Sequence, residues 1–310
     1  MKIAVTGGSG FIGSHVVDYL IDAGHNVVVV DYGVKPHRGD VEFVSADVVN
    51  YSAVLSATVG CDYVFHLAAV SNVNDAFARP IYCVELNAVG AVNVLEAARQ
   101  NGVKRVFLAS TVWIYSGARD SHVHEDSPLY MPGAGHIYTS TKIAGELFFH
   151  DYGKLYEQPY TILRYGIPYG PRMREQLVIP IFLKKAFAGE PITITGDGSQ
   201  YRNYLYIEDL ARAHILAMDA KARNQTYNLT GTRKVTIEEI AQTIKRLLGG
   251  QVEIVHLPAR PGDYAGKEVS SERARLELGW EPEVGFEEGM KRTIIWYCEE
   301  HGLSLPDSVS

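Results

Sequence analysis

A tyrosine and a lysine stand four positions apart, Tyr138 and Lys142, in the stretch HIYTSTK. On a helix, positions i and i+4 share a face, so a phenol and an ammonium placed there can reach one bound molecule. A cation beside a phenol favours the phenolate, which makes the tyrosine a candidate acid or base for a substrate hydroxyl. The spacing alone is common, and an exposed helix face produces it by chance.

A second cluster lies at the start of the chain. The apolar run IAVT leads into GGSGFIG, which sets Gly7, Gly10 and Gly13 in the pattern G-x-x-G-x-x-G, with Phe11 and Ile12 opening a helical run. Glycines there let the backbone turn sharply and approach a pyrophosphate at the helix N-terminus. The next apolar run, NVVVV, ends in Asp31. A carboxylate at that place accepts hydrogen bonds from ribose hydroxyls and repels a 2'-phosphate, so the expected cofactor is NAD rather than NADP. Asp47 and Val48 follow a third apolar segment and are candidates for the adenine. Leu67, Ala68 and Ala69 of HLAA end a fourth, where bulky side chains would collide with a dinucleotide.

These residues need a scaffold that brings them to one edge. The runs IAVT, NVVVVD, YVFHLAA, VKRVFLAS and YTILRY read as buried strands, separated by helical patterns over 11–23, 87–100 and 138–156. That rhythm predicts an α/β fold, a Rossmann-type doubly wound parallel sheet. After Tyr165 prolines and glycines become frequent, and helical runs over 176–188, 207–220 and 237–248 predict a smaller, mixed α/β substrate-binding lobe. Thr236 and Glu239 form a capping box at the start of the last run. The expected division is 1–165 for NAD binding and 166–310 mainly for substrate, with some later segments returning to the first domain and a cleft between the lobes.

The length of 310 residues suits such a plan. A net charge of -7 with interspersed signs argues against nucleic acid as a partner. Cys61, Cys83 and Cys298 are far apart, and the cluster His122, His124, Glu125 and Asp126 lacks a further ligand at fixed spacing, so no metal is expected. No stretch approaches the roughly 18–20 apolar residues of a membrane span, and the expected location is cytoplasmic, without a membrane partner.

Taken in order, the glycine loop, Asp31, HLAA, NAVGAVNVLEAAR, LASTVWIYSG, YTSTK, LRYGIPYGPR, GDGSQYRNYLYIEDLARA, RPGD and LGWEP resemble the extended short-chain dehydrogenases/reductases over nearly the full length. The likeness is to their nucleotide-sugar epimerase and dehydratase branch. The resemblance implies NAD, a nucleotide-diphosphate sugar as substrate, and a homodimer formed through the helices at 87–100 and 138–156. It makes Tyr138 the general base that takes a proton from a sugar hydroxyl, and it sets Lys142 on the nicotinamide ribose. By the same likeness Thr111 bonds the reacting oxygen, Asn87 supports the strand ends near the cofactor, and Tyr165 lies on the cofactor. Arg202 and Arg260 would grip the diphosphate, a task suited to guanidinium forks, and Asp263 would orient Arg260 or touch a ribose.

Within that branch, dehydratases carry an Asp-Glu pair directly after the threonine, and sugar-acid decarboxylases keep a glutamate there. Val112 and Trp113 occupy those places here and can carry no proton. Nor is there the cysteine that accompanies epimerisation at C3 or C5. The expectation that remains is an NDP-sugar 4-epimerase working through a transient 4-keto intermediate, of the UDP-glucose/galactose or UDP-glucuronate type. A dehydratase or reductase of the same fold is the alternative. Arg174 resembles a position that meets the carboxylate in uronic-acid epimerases, although Arg172 and Arg174 also read as surface charges or dimer contacts. The chain departs from the branch at Ile167, where an asparagine is usual, and at Pro168. His136 reads equally as facing the sugar or packing at the helix entrance. Trp113 reads as a core aromatic or a flank of the substrate.

Overall fold

The computed structural model describes residues 1–258, 267–306 and 309, so Arg260 and Asp263 lie outside the described residues. Seven strands form the central sheet: β1 (Lys2–Thr6), β2 (Asn26–Asp31), β3 (Glu42–Ser45), β4 (Tyr63–His66), β5 (Arg105–Thr111), β6 (Tyr160–Tyr165) and β7 (Gln225–Leu229). They lie in the order β7-β6-β5-β4-β1-β2-β3, all parallel. Strand order reverses at β1, which brings the carboxyl ends of β1 and β4 together where a doubly wound sheet receives its ligand.

The apolar runs are continuous because both faces of the sheet are covered. Helix α1 (Phe11–Asp22) buries Val16, Val17 and Leu20. On the face that carries Val28, Val64, Leu108 and Ile162, helix α2 (Gly90–Gln100) sets Val94 and Leu95, and helix α3 (Ile137–Leu155) sets Phe149. Each such fully buried aliphatic or aromatic side chain contributes about 1.5–3 kcal/mol of transfer free energy.

The helix expected from Asn87 begins earlier, at Pro80. Residues Pro80–Val84 are α-helical, Glu85–Val89 form a π-turn, and α2 follows without a break. A π-turn inserts one residue into the helical ladder and re-aims the side chains on it, and Asn87 is the buried residue of this one. Gly90 lets the helix approach the chain after β3, for a Cβ there would lie 2.8 Å from Val48 Cγ2. By length and composition alone, Pro80–Gln100 would suffice to cross a membrane, a span the sequence reading did not expect. Its side chains divide between a buried set, including Cys83, Ala91, Val94 and Leu95, and an exposed one, including Ile81, Val84 and Val89.

The chain separates into two units. The first comprises Met1–Tyr165, Ala211–Leu229 and Val269–Glu281, and the second is built from the described parts of Gly166–Leu210, Thr230–Glu268 and Pro282–Ser310. In the second, Ile167–Tyr169 pairs in parallel with Tyr204–Tyr206, and Ile192–Thr195 with Ile254–Leu257. Helix Phe286–His301 packs closely on this unit: the Tyr169 hydroxyl donates to the Phe286 carbonyl at 3.1 Å, and a Cβ on Gly289 would overlap that hydroxyl. Thr236 Oγ1 accepts the Glu239 N–H at 3.0 Å, capping Ile237–Leu247.

Candidate active site

The glycine loop is built by backbone meeting backbone. Gly7 has a φ of +72°, and a Cβ there would stand 2.7 Å from the Ala68 nitrogen. A Cβ on Gly13 would overlap the Gly7 carbonyl oxygen. Leu67, Ala68 and Ala69 therefore border the loop at the end of β4. Their position is held by Thr6, whose hydroxyl meets His66 Nδ1 at 2.8 Å and accepts the Ala68 N–H at 3.3 Å. Burial pushes the His66 imidazole down to about 3, with the Lys142 ammonium adding to the effect, so it stays neutral.

Asp31 is tied to the same loop. Its carboxylate accepts the Ser9 N–H at 2.9 Å and the Tyr32 N–H at 2.8 Å. Burial raises the Asp31 pKa while those bonds lower it. The Ser9 hydroxyl is buried in the same cradle and lies against the Asp31 carboxylate, where it adds to that lowering. Asp47 is half-buried and accepts the Val49 N–H at 3.0 Å, while the buried Val48 gives its carbonyl to Asn93 Nδ2 at 2.9 Å. The glycine cradle, which a Cβ would fill, and the carboxylate beside it fit a dinucleotide without a 2'-phosphate. Because overpacking at such a contact costs about 1–3 kcal/mol, Gly13→Ala is expected to weaken NAD binding by about tenfold to a hundredfold. Calorimetric titration with NAD checks this, and unchanged affinity would remove the loop from pyrophosphate binding.

Tyr138 and Lys142 lie one turn apart on α3, and both are buried. Lys142 Nζ donates to the Ala109 carbonyl of β5 at 2.8 Å, two residues before Thr111. Burial brings the Lys142 ammonium down to about 8, against the pull of Cys83 and Glu146. Thr111 ends β5, and its Oγ1 accepts the Trp113 N–H at 3.2 Å, which leaves the hydroxyl proton to donate elsewhere.

Asn87 acts as a clamp. Its Oδ1 accepts the Val70 N–H at 2.7 Å, and its Nδ2 donates to the Val70 carbonyl at 3.0 Å and to Thr141 Oγ1 at 2.9 Å. The amide thus joins the chain beyond β4 to the helix that carries Tyr138. Tyr165 stands opposite Thr111 in the sheet register, buried, with its hydroxyl 2.6 Å from His214 Nε2.

Behind the tyrosine and lysine runs a buried polar network absent from the sequence reading. Glu146, one turn beyond Lys142, accepts from the Ser110 hydroxyl and from Arg164, whose Nη2 reaches Oε2 at 2.6 Å and whose Nε reaches Oε1 at 3.0 Å. Arg164 Nη1 continues to the Tyr115 hydroxyl at 2.6 Å and the Glu125 carbonyl at 3.1 Å. Tyr115 donates to Asn228 Oδ1 at 3.0 Å, and Asn228 returns its N–H to Glu125 Oε1 at 2.7 Å. The signal available in the sequence was the acid at i+4 from Lys142. His214 left only a lone histidine in an amphipathic helix.

Val112 packs on the apolar cluster of Ile114, Tyr115 and Ile143. Among the described residues no group of three His, Cys, Asp or Glu could hold a metal. Arg174 and Arg202 belong to the second unit. Arg174 is exposed in the loop where Arg172 takes a left-handed φ of 64°, and Arg202 is half-buried and donates to the Tyr201 carbonyl at 2.6 Å.

Comparison with known proteins agrees with this fold. The description of the NAD dependent epimerase/dehydratase family matches residues 3–230. A UDP-glucuronate 4-epimerase of Thermodesulfobacterium geofontis is 33% identical, covering 95% of this chain and 95% of its own. The crystal structure of a Thermotoga maritima UDP-glucose 4-epimerase with UDP-glucose superposes with a TM-score of 0.90 at 32% identity, over 97% of this chain and 100% of that one. A Thermus thermophilus UDP-glucose 4-epimerase in complex with NAD gives a TM-score of 0.86 at 32% identity, over 96% and 99%.

Proposed function

The chain belongs to the NAD dependent epimerase/dehydratase family, and from that premise we propose that it is an NDP-sugar 4-epimerase. It inverts C4 of a UDP-sugar of the glucose/galactose or glucuronate type through a transient 4-keto intermediate. The observation that carries this reading is the buried Tyr138 and Lys142 pair pinned to the strand of Thr111, directly followed by two residues that cannot transfer protons. Bound NAD supplies the hydride acceptor and then the donor at that carbon.

This chain's own residues do the rest. Tyr138 takes the C4 hydroxyl proton and later returns it. Lys142 holds the nicotinamide ribose and favours the phenolate. Thr111 donates to the reacting oxygen. Asp31, Asp47 and Val48 take the adenosine end, the loop of Gly7, Gly10, Phe11, Ile12 and Gly13 takes the pyrophosphate, and Leu67, Ala68, Ala69, Asn87 and Tyr165 line or support the cofactor site. Arg202 and Arg260 grip the nucleotide diphosphate, and Asp263 orients Arg260 or touches a ribose. Dehydration would need an acid and a base after Thr111, which Val112 and Trp113 do not provide.

A uronate is favoured as one substrate by Arg174 and by the likeness to a UDP-glucuronate 4-epimerase. The enzyme works in the cytoplasm as a homodimer. Exposed apolar side chains on two helices, Ile81, Val84 and Val89 on one and Leu147 and Leu155 on the other, support such an interface. Proton NMR of the protein with UDP-glucose or UDP-glucuronate, without added oxidant or reductant, should show the 4-epimer reaching the same mixture from either side. A 4-keto-6-deoxy sugar or free NADH as the main product would sink the reading.

A further inference from the structure

His136 opens α3 two residues before Tyr138, in extended backbone with φ -159° and ψ 160°. It caps the helix: its Nδ1 accepts the Thr139 N–H at 3.3 Å and lies 3.1 Å from the Thr139 hydroxyl. A ring nitrogen that accepts a backbone N–H carries no proton, so the neutral imidazole holds its proton on Nε2. Burial lowers the His136 pKa, and the positive end of the helix dipole likewise opposes a second proton. No acceptor among the described residues engages Nε2. The ring stands between two side chains at the reacting end of the site, 5.7 Å from Trp113 with a 58° tilt and 6.0 Å from Tyr138 at 26°. Helix capping therefore fixes a neutral donor beside the phenol.

We propose that His136 is a specificity-determining residue whose Nε2–H donates to an oxygen substituent of the bound hexose, next to the carbon on which Tyr138 acts. The proposal rests on the reading of this site as one for a nucleotide sugar. It joins two tasks in one ring: Nδ1 holds the helix entrance and so the direction of Tyr138, while Nε2 reads the sugar.

The two tasks separate by substitution. Asparagine is among the best N-caps, so His136→Asn keeps the cap and removes the Nε2 donor, whereas His136→Ala removes both. Calorimetric titration of NAD-loaded protein with UDP-glucose, UDP-glucuronate and UDP reads the result. For His136→Asn, affinity for at least one of the two UDP-sugars is expected to fall about tenfold, the scale of one lost hydrogen bond, with affinity for UDP unchanged. His136→Ala should also lower the Tm. Wild-type affinity of His136→Asn for both UDP-sugars, or an equal loss on UDP, would overturn the assignment while leaving the epimerase reading intact. Failure of the unmodified protein to bind any of the three would overturn the nucleotide-sugar reading and this proposal with it.

Discussion

Tyr138→Phe is expected to lower turnover by about a thousandfold, the middle of the range for removing a general acid or base, while NAD affinity and Tm stay near those of the unmodified protein. The substitution removes one hydroxyl and keeps a ring that is 8% exposed. Lys142 Nζ gives one of its three hydrogens to the Ala109 carbonyl, and an aliphatic hydroxyl such as that of Thr111 is no stronger a base than a sugar hydroxyl. Equilibrium binding of UDP-glucose should change little, so the loss should fall on kcat rather than KM. An NMR time course comparing the two proteins on the same substrate decides the matter. A variant epimerising at the unmodified rate would take proton transfer away from the phenol.

Glu146→Ala is expected to destabilise the protein by about 3–5 kcal/mol, the cost of leaving a buried charge without its partner. The Glu146 and Arg164 side chains are 5% and 6% exposed, and their ion pair closes at 2.6 Å. The substitution leaves the Arg164 guanidinium with the Tyr115 hydroxyl and the Glu125 carbonyl alone, and it removes the acceptor of the Ser110 hydroxyl. The pair's net worth is a separate quantity, since desolvation offsets much of its attraction. The double replacement Glu146→Leu with Arg164→Met should therefore recover much of the loss. Urea unfolding of the three proteins measures both effects. A loss below about 1 kcal/mol for Glu146→Ala would mean that the remaining partners satisfy the guanidinium. Because Ser110 and Glu146 join β5 to α3, the single variant should also lose activity beyond its loss of folded protein.

The parts of the site that were legible are those whose physics is local. Asp31 could be read because an apolar run ends on it and the glycine pattern precedes it. Tyr138 and Lys142 could be read because i and i+4 share a helix face. Strands β1, β2, β4, β5 and β6 could be read because burial on both faces leaves unbroken apolar runs. Strand β7, QTYNL, carries no such run. It lies at the sheet edge beside β6, and its buried Asn228 is accommodated by Glu125, Tyr115 and the Ser270 carbonyl. Nothing in the five residues themselves announces those partners. The helix before α2 was misjudged for a related reason: a π-turn breaks the 3.6-residue period, so the pattern seemed to begin at Asn87 when the helix begins at Pro80.

By itself, then, the sequence determined five strands of the sheet, the glycine loop with Asp31 after it, and the placing of Tyr138 and Lys142 on one helix face, because each depends on neighbours within one turn or one strand. Tertiary structure alone decided what holds them in place. Asn87 reaches Thr141 across 54 positions, Tyr165 meets His214 across 49, and Arg164 meets Glu146 from the neighbouring strand. Those contacts are set by parallel crossovers that bring distant segments side by side, and a hydrogen bond between them leaves no periodic trace along the chain.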